Sequence, residues 1–133
     1  MAKNYLTLNE INAYKASFNL SNYVWNIIDG WDKFSKFTVG NQFVRAIDLI
    51  PANILEGFGR YGKKDKISFY RIARASTYES LDWLEKSKNR KPINKKEYDY
   101  IFKILKDLPR EINSLIKYTN NHLTIKIYGE TKK

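Results

Sequence analysis

Glu56 and Glu79 are the side chains with the most obvious chemical potential, two carboxylates accompanied by Asn53, Arg60 and Ser76 in the middle of the chain. Such a pair could act as general acid and base, or hold a metal ion. Nothing else in the sequence supports either use. His122 stands alone and cysteine is absent, which excludes histidine metal clusters, zinc fingers, thiolate nucleophiles, iron–sulfur clusters and disulfides. Glu56 and Arg60 are spaced i,i+4 in the favourable order, Asn53 lies one turn before Glu56, and Ser76 and Glu79 make a comparable pair further on. Structural specification is the first reading: if the two faces meet, they form a buried polar network that sets helix register. Ligand or nucleic-acid contact comes second and catalysis third. The expectation is therefore a protein that is not an enzyme, with no catalytic residue, no metal site and no cofactor.

Phosphate contact is the second chemistry the residue types allow. Twenty-four Lys and Arg face fourteen Asp and Glu, a net charge of +10 that points to an acidic partner. Coding bias toward A/T-rich codons would inflate lysine, but it should raise glutamate as well, and there are only seven. Residues 61–75 are the densest basic stretch, with Lys63, Lys64, Lys66, Arg71 and Arg74 against Asp65 alone. Lys63, Lys64 and Lys66 flank an expected helix start, where the dipole disfavours cations and welcomes anions. Lys95 and Lys96 repeat that placement at the next helix. These seven residues are the candidate RNA or DNA contacts; a solvated, solubilising surface is the alternative. Tyr61, Tyr70 and Tyr78 are interleaved with the first stretch and could stack on unpaired bases, or be half-buried core. Lys86, Lys88, Arg90 and Lys91 fall near a helix end, where positive charge is favoured and structure accounts for them.

The elements that must position these groups read as helices. Thr7 and Glu10 form a capping-box pattern, followed by Ile11, Tyr14, Phe18, Trp25 and Ile28 at 3/4 spacing, with Leu20, Val24, Ile27 and Trp31 as a second stripe. That helix should end between residues 30 and 36. A second helix resumes after Asn41 with Phe43, Ile47, Ile50, Ile54 and Phe58. Asp65 is positioned to cap a third, whose inward residues are expected to be Phe69, Ile72, Ala73, Ser76, Ser80, Trp83 and Leu84. Asn94 and Glu97 cap a fourth, which carries Tyr98, Ile101, Leu105, Leu108, Ile112, Leu115 and Thr119 in strict 3-4 alternation. In 133 residues this makes one domain. The fold class is all-α, an antiparallel up-down four-helix bundle over residues 1–121, with a short C-terminal tail over 122–133. Leu123–Tyr128 in that tail alternates with period two, as a short strand or an arm on a neighbour would. No run approaches the roughly 18 apolar residues of a membrane span, and the first ten residues lack a secretory apolar core, so the expectation is a cytoplasmic protein with no membrane contact.

Three strings in the middle of the chain also carry a family resemblance: Asn41-Gln42-Phe43-Val44-Arg45-Ala46, Ile50-Pro51-Ala52-Asn53-Ile54-Leu55-Glu56-Gly57-Phe58-Gly59-Arg60, and Phe69 through Glu79. They resemble the four-helix bundle family whose first members were encoded by intervening sequences in bacterial 23S ribosomal RNA genes. The resemblance covers roughly residues 8 to 120; Asp48, Leu49 and Ala75 are mild departures from the family pattern. It implies an all-α bundle assembling into a ring-like homopentamer, with no established enzymatic activity and a suggested role in binding RNA or DNA. Related bundles serve diversity-generating retroelements, where they engage a reverse transcriptase, which makes such a protein a further partner implied by the resemblance. A homo-oligomer is expected on physical grounds too, because seventeen Tyr and Phe and three Trp exceed what one small bundle readily hides.

Overall fold

The computed structural model describes residues 6–90 and 93–122, and its regular elements are all helical. Four long helices, α1 (Asn12–Asp29), α3 (Asn41–Gly59), α4 (Lys63–Arg90) and α5 (Lys95–His122), alternate in direction and are joined by short connections. Each of α1 and α4 packs between α3 and α5, so those two lie diagonally across the bundle. This is the expected antiparallel four-helix bundle. The expected tail lies outside the described residues, apart from His122, which ends α5.

Helix ends follow local chemistry, with three departures from the sequence reading. The Thr7 N–H donates to the Glu10 carboxylate at 2.8 Å, but this closes a 3-10 turn over Leu8–Glu10, and the extended backbone of Ile11 delays α1 to Asn12. The second helical segment starts eight residues earlier than its apolar period suggests. Asp32 accepts from the Ser35 N–H at 3.2 Å and caps the single turn α2 (Lys33–Ser35), which runs through a π-helical turn, Lys36–Gly40, directly into α3. Finally, α4 begins at Lys63, ahead of Asp65, whose carboxylate lies 3.5 Å from Arg60 instead of capping. The fourth cap is as expected: Glu97 N–H donates to Asn94 Oδ1 at 2.7 Å, and Asn94 N–H donates to the Glu97 carboxylate at 3.1 Å.

The core is built from Leu20, Val24 and Ile28 of α1, Phe43, Ile47, Ile50 and Ile54 of α3, Tyr70, Ala73 and Leu84 of α4, and Ile101, Leu105, Leu108, Ile112 and Leu115 of α5. On α5 the apolar period and the buried face coincide. On α1 the structure buries the stripe of Leu20 and Val24 and leaves Phe18 and Trp25 about half exposed. On α4 it is Ile67, Tyr70, Thr77 and Ser87 that turn inward alongside Ala73, Ser76, Ser80 and Leu84, while Ile72 faces out. Three of the small hydroxyls on this face are satisfied within their own helix: Ser76 donates to the Ile72 carbonyl, Thr77 to Arg74 and Ser87 to Trp83, whereas the buried Ser80 hydroxyl has no partner among the described residues. They allow close helix approach without a transverse network. Among the described residues, no helix is long and apolar enough to cross a membrane.

Candidate functional site

The α3–α4 junction holds most of the residues singled out from the sequence, and the structure separates them into two groups. In the first, Arg60 is the centre. Its guanidinium donates to Glu56 from Nε at 3.0 Å and lies 2.8 Å from it at Nη2, reaches Asp65 at 3.5 Å, and covers the Phe69 ring at 4.5 Å. One side chain thus ties the end of α3 to the first turns of α4. The expected buried polar network does not form within the chain, because Glu56 and Glu79 are both exposed. Asn53 donates to the Leu49 carbonyl at 2.8 Å and Ser76 to that of Ile72, so each is satisfied along its own helix. Exposed carboxylates do not share a dry site, and among the described residues no group of three or more His, Asp or Glu could hold a metal.

This geometry changes what Glu56→Ala should do. Burial would have made the substitution cost several kcal/mol, but an exposed i,i+4 ion pair contributes only about 0.2–0.5 kcal/mol. Urea unfolding of Glu56→Ala should therefore give a stability within about 0.5 kcal/mol of the parent.

The second group is the basic stretch, whose five cations diverge. Lys66 points back across the junction, donating to the carbonyls of Phe58 at 2.7 Å and Gly57 at 3.4 Å, so it caps the C-terminus of α3. Its burial there lowers its pKa from the ordinary lysine value. Arg74 donates to Asn113 of α5 at 2.6 Å. Lys63, Lys64 and Arg71 line one open groove of about 260 Å³ together with Ile67 and Asn120, and Lys63 donates to the Asn120 carbonyl at 3.0 Å. Among the described residues no carboxylate lines this groove, since Asp65 is turned to Arg60. Three positive charges converge there with their attraction for anions undiminished by a neighbouring acid.

Lys95 and Lys96 are not part of this surface. They lie at the opposite end of α5, some 36 Å from Asn120 at 1.5 Å per residue, and Lys95 pairs with Asp99 at 2.6 Å. Of the interleaved tyrosines, Tyr70 is core, with its phenol pushed up to about 12 by burial, Tyr78 is half exposed, and Tyr61 is wholly exposed in the connection before Lys63. Sequence inspection missed Ile67 and Asn120 as groove residues. The signal lay in the topology, because antiparallel α4 and α5 necessarily bring the start of one beside the end of the other.

A separate apolar recess of about 200 Å³ lies at the far end of α1, lined by Trp25, Ile28, Phe37, Gly40 and Val44 and edged by the Asp29–Lys36 ion pair at 3.2 Å. Phe34 and Phe37 beside it are among the most exposed large apolar side chains of the described residues.

Comparison with known proteins places this architecture in context. The sequence profile of the family described as 23S rRNA-intervening sequence protein matches residues 9–114. Among solved structures, the bundle is similar to the crystal structure of a protein of unknown function from the S23 ribosomal protein family of Bacteroides thetaiotaomicron. The two share 23% identity over 79% of this chain and 98% of that one, with a TM-score of 0.72, which is a likeness of fold. No curated protein matches the chain.

Proposed function

The chain belongs to the 23S rRNA-intervening sequence protein family, and from that premise we propose that it is a non-enzymatic, self-assembling bundle that binds RNA or DNA through phosphate contacts. The observation that carries this reading is the groove where Lys63, Lys64 and Arg71 converge with no acid among the described residues that line it. Three helix-surface cations elsewhere are paired with an acid of their own helix: Lys86 with Asp82, Lys95 with Asp99 and Arg110 with Asp107. A phosphate in the groove would meet three donors at once.

Self-assembly is supported by two dissimilar apolar faces. Phe18, Trp25, Phe34 and Phe37 are exposed on α1 and the segment after it, and Leu49, Leu55, Ile72 and Tyr78 are exposed on α3 and α4. Contact between unlike faces of neighbouring copies is heterologous, and such contacts close into a ring when the rotation from copy to copy divides a full turn. A homopentamer is the ring size the family resemblance implies. Repeating the groove around one axis would turn weak phosphate contacts into an avid surface. Sedimentation at micromolar concentration should show an oligomer, and a species of about 16 kDa alone would refute assembly.

The binding test is an anisotropy titration of labelled structured RNA and duplex DNA between 50 and 200 mM salt. Polyanion binding should weaken steeply over that range, and Lys64→Ala/Arg71→Ala should flatten the log–log salt slope by up to about two units per engaged subunit. Absence of binding at 50 mM salt, or an unchanged slope in the double variant, would overturn the reading. The rival reading, an assembly module for another protein such as a reverse transcriptase, is favoured by the recess at Trp25 and Phe37; it predicts a contact nearly indifferent to salt.

A further inference from the structure

The connection between α3 and α4 is three residues long, Arg60, Tyr61 and Gly62, and each position has a different explanation. Arg60 clamps Glu56, Asp65 and Phe69. Gly62 accepts from the Lys66 N–H at 2.9 Å and opens α4. Tyr61 alone is unaccounted for by the fold: its relative exposure is 100%, so its ring gains nothing from packing, and any polar residue would complete the turn as well. A large aromatic ring held fully in water invites a ligand with an apolar face.

What lies beside it is the cationic groove. One residue, Gly62, separates Tyr61 from Lys63, so their Cα atoms are at most about 7 Å apart. That keeps the Tyr61 ring within side-chain reach of a nucleotide whose phosphate sits in the groove. Tyr70 is buried and Tyr78 lies more than four turns along α4, so neither shares this end of the groove. In a duplex the bases are stacked on one another and their faces are covered, whereas in an unpaired strand they can be splayed onto an aromatic side chain.

Resting on the phosphate-binding reading above, we infer that the groove takes an unpaired nucleic-acid strand, with a phosphate held by Lys63, Lys64 and Arg71 and the adjoining base stacked on Tyr61. Recognition of this kind tolerates any base, because every base presents a π face, and it discriminates strand from duplex by the availability of that face. The chemistry is common to RNA and DNA strands.

The test uses the full chain with a labelled single-stranded oligonucleotide, in RNA and DNA versions, and the corresponding duplexes, titrated at a series of salt concentrations from 50 to 200 mM. The parent should bind the strands more tightly than the duplexes. Tyr61→Ala should lower strand affinity roughly five- to 100-fold, the worth of one base–aromatic stack, while leaving duplex affinity and the salt slope unchanged. Tyr61→Phe should retain the strand affinity. A 2-aminopurine placed in the strand should lose fluorescence on binding to the parent and to Tyr61→Phe, but not to Tyr61→Ala. An RNA strand bound well above its DNA counterpart would overturn the 2′-hydroxyl-independent form stated here. Equal losses for strand and duplex, or no loss at all, would overturn the stacking role while leaving the phosphate reading intact. Failure of the parent to bind either form at 50 mM salt would remove both.

Discussion

Phe43→Ala is expected to destabilise the bundle by about 3–5 kcal/mol, the range for deleting a large aromatic from a well-packed interior. Phe43 is completely buried on α3 and belongs to the continuous core that all four long helices share, so the lost ring leaves a cavity with walls on every side. Against a total stability of about 5–15 kcal/mol for a domain of this kind, such a loss removes a large fraction of the whole. Urea unfolding followed by far-ultraviolet circular dichroism would read it as a lower midpoint. Phe34→Ala is the matched control. Its ring is 77% exposed, so the same chemical deletion should leave the fold's stability within about 0.5 kcal/mol. If Phe34 contributes to an assembly face, that control should instead shift the sedimentation equilibrium toward smaller species.

The second large effect is expected at Gly57. A Cβ added there would lie 2.7 Å from Tyr70 Cε1 and 2.9 Å from the Lys66 carbonyl oxygen, both closer than real contacts permit. Neither neighbour can yield freely, since Tyr70 is buried in the core and the carbonyl belongs to the first turn of α4. Gly57→Val should therefore force α3 and α4 apart at this contact, costing about 3 kcal/mol, the upper part of the range for overpacking. Better helix propensity returns only a few tenths of a kcal/mol for valine over glycine, too little to change the sign. For a domain of this size the melting temperature should fall by about 10 °C. Gly59, two residues on, would meet nothing within 4 Å, so Gly59→Ala should change stability by no more than about 0.5 kcal/mol. Equal effects at the two glycines would refute the steric account.

These contrasts also explain the most diagnostic string of the sequence in physical terms. Ile50 and Ile54 are core, Gly57 is where α3 has no room for a Cβ against α4, and Arg60 is the clamp across the junction. Glu56, the residue with the most chemical promise on paper, sits on the surface as the partner of that clamp.

The number, type and pairing of the helices were legible in the residues alone, because the signals were local or strongly periodic. On α5, charged and polar residues occupy nine of the fifteen positions outside the 98–119 apolar stripe, so one rotation of that helix hides most of its aliphatic groups; the structure adopts that rotation and leaves Tyr100 and Phe102 partly exposed. The reciprocal cap at Asn94 and Glu97 depends on four consecutive residues and formed as read. On α1 and α4 the same reasoning is degenerate. Apolar residues cover more than one face of α1, and α4 offers both an aromatic side and a small-residue side, so neighbouring helices selected the face. Tertiary packing chose Leu20 and Val24 over Phe18 and Trp25, and Tyr70 over Ile72. The candidate site shows the same division. Composition located a cluster of cations, but residues adjacent in sequence point about 100° apart on a helix. Which of them converge was therefore decided by what stands opposite: the end of α3 draws Lys66 inward, Asn113 holds Arg74, and only Lys63, Lys64 and Arg71 meet over the last turn of α5.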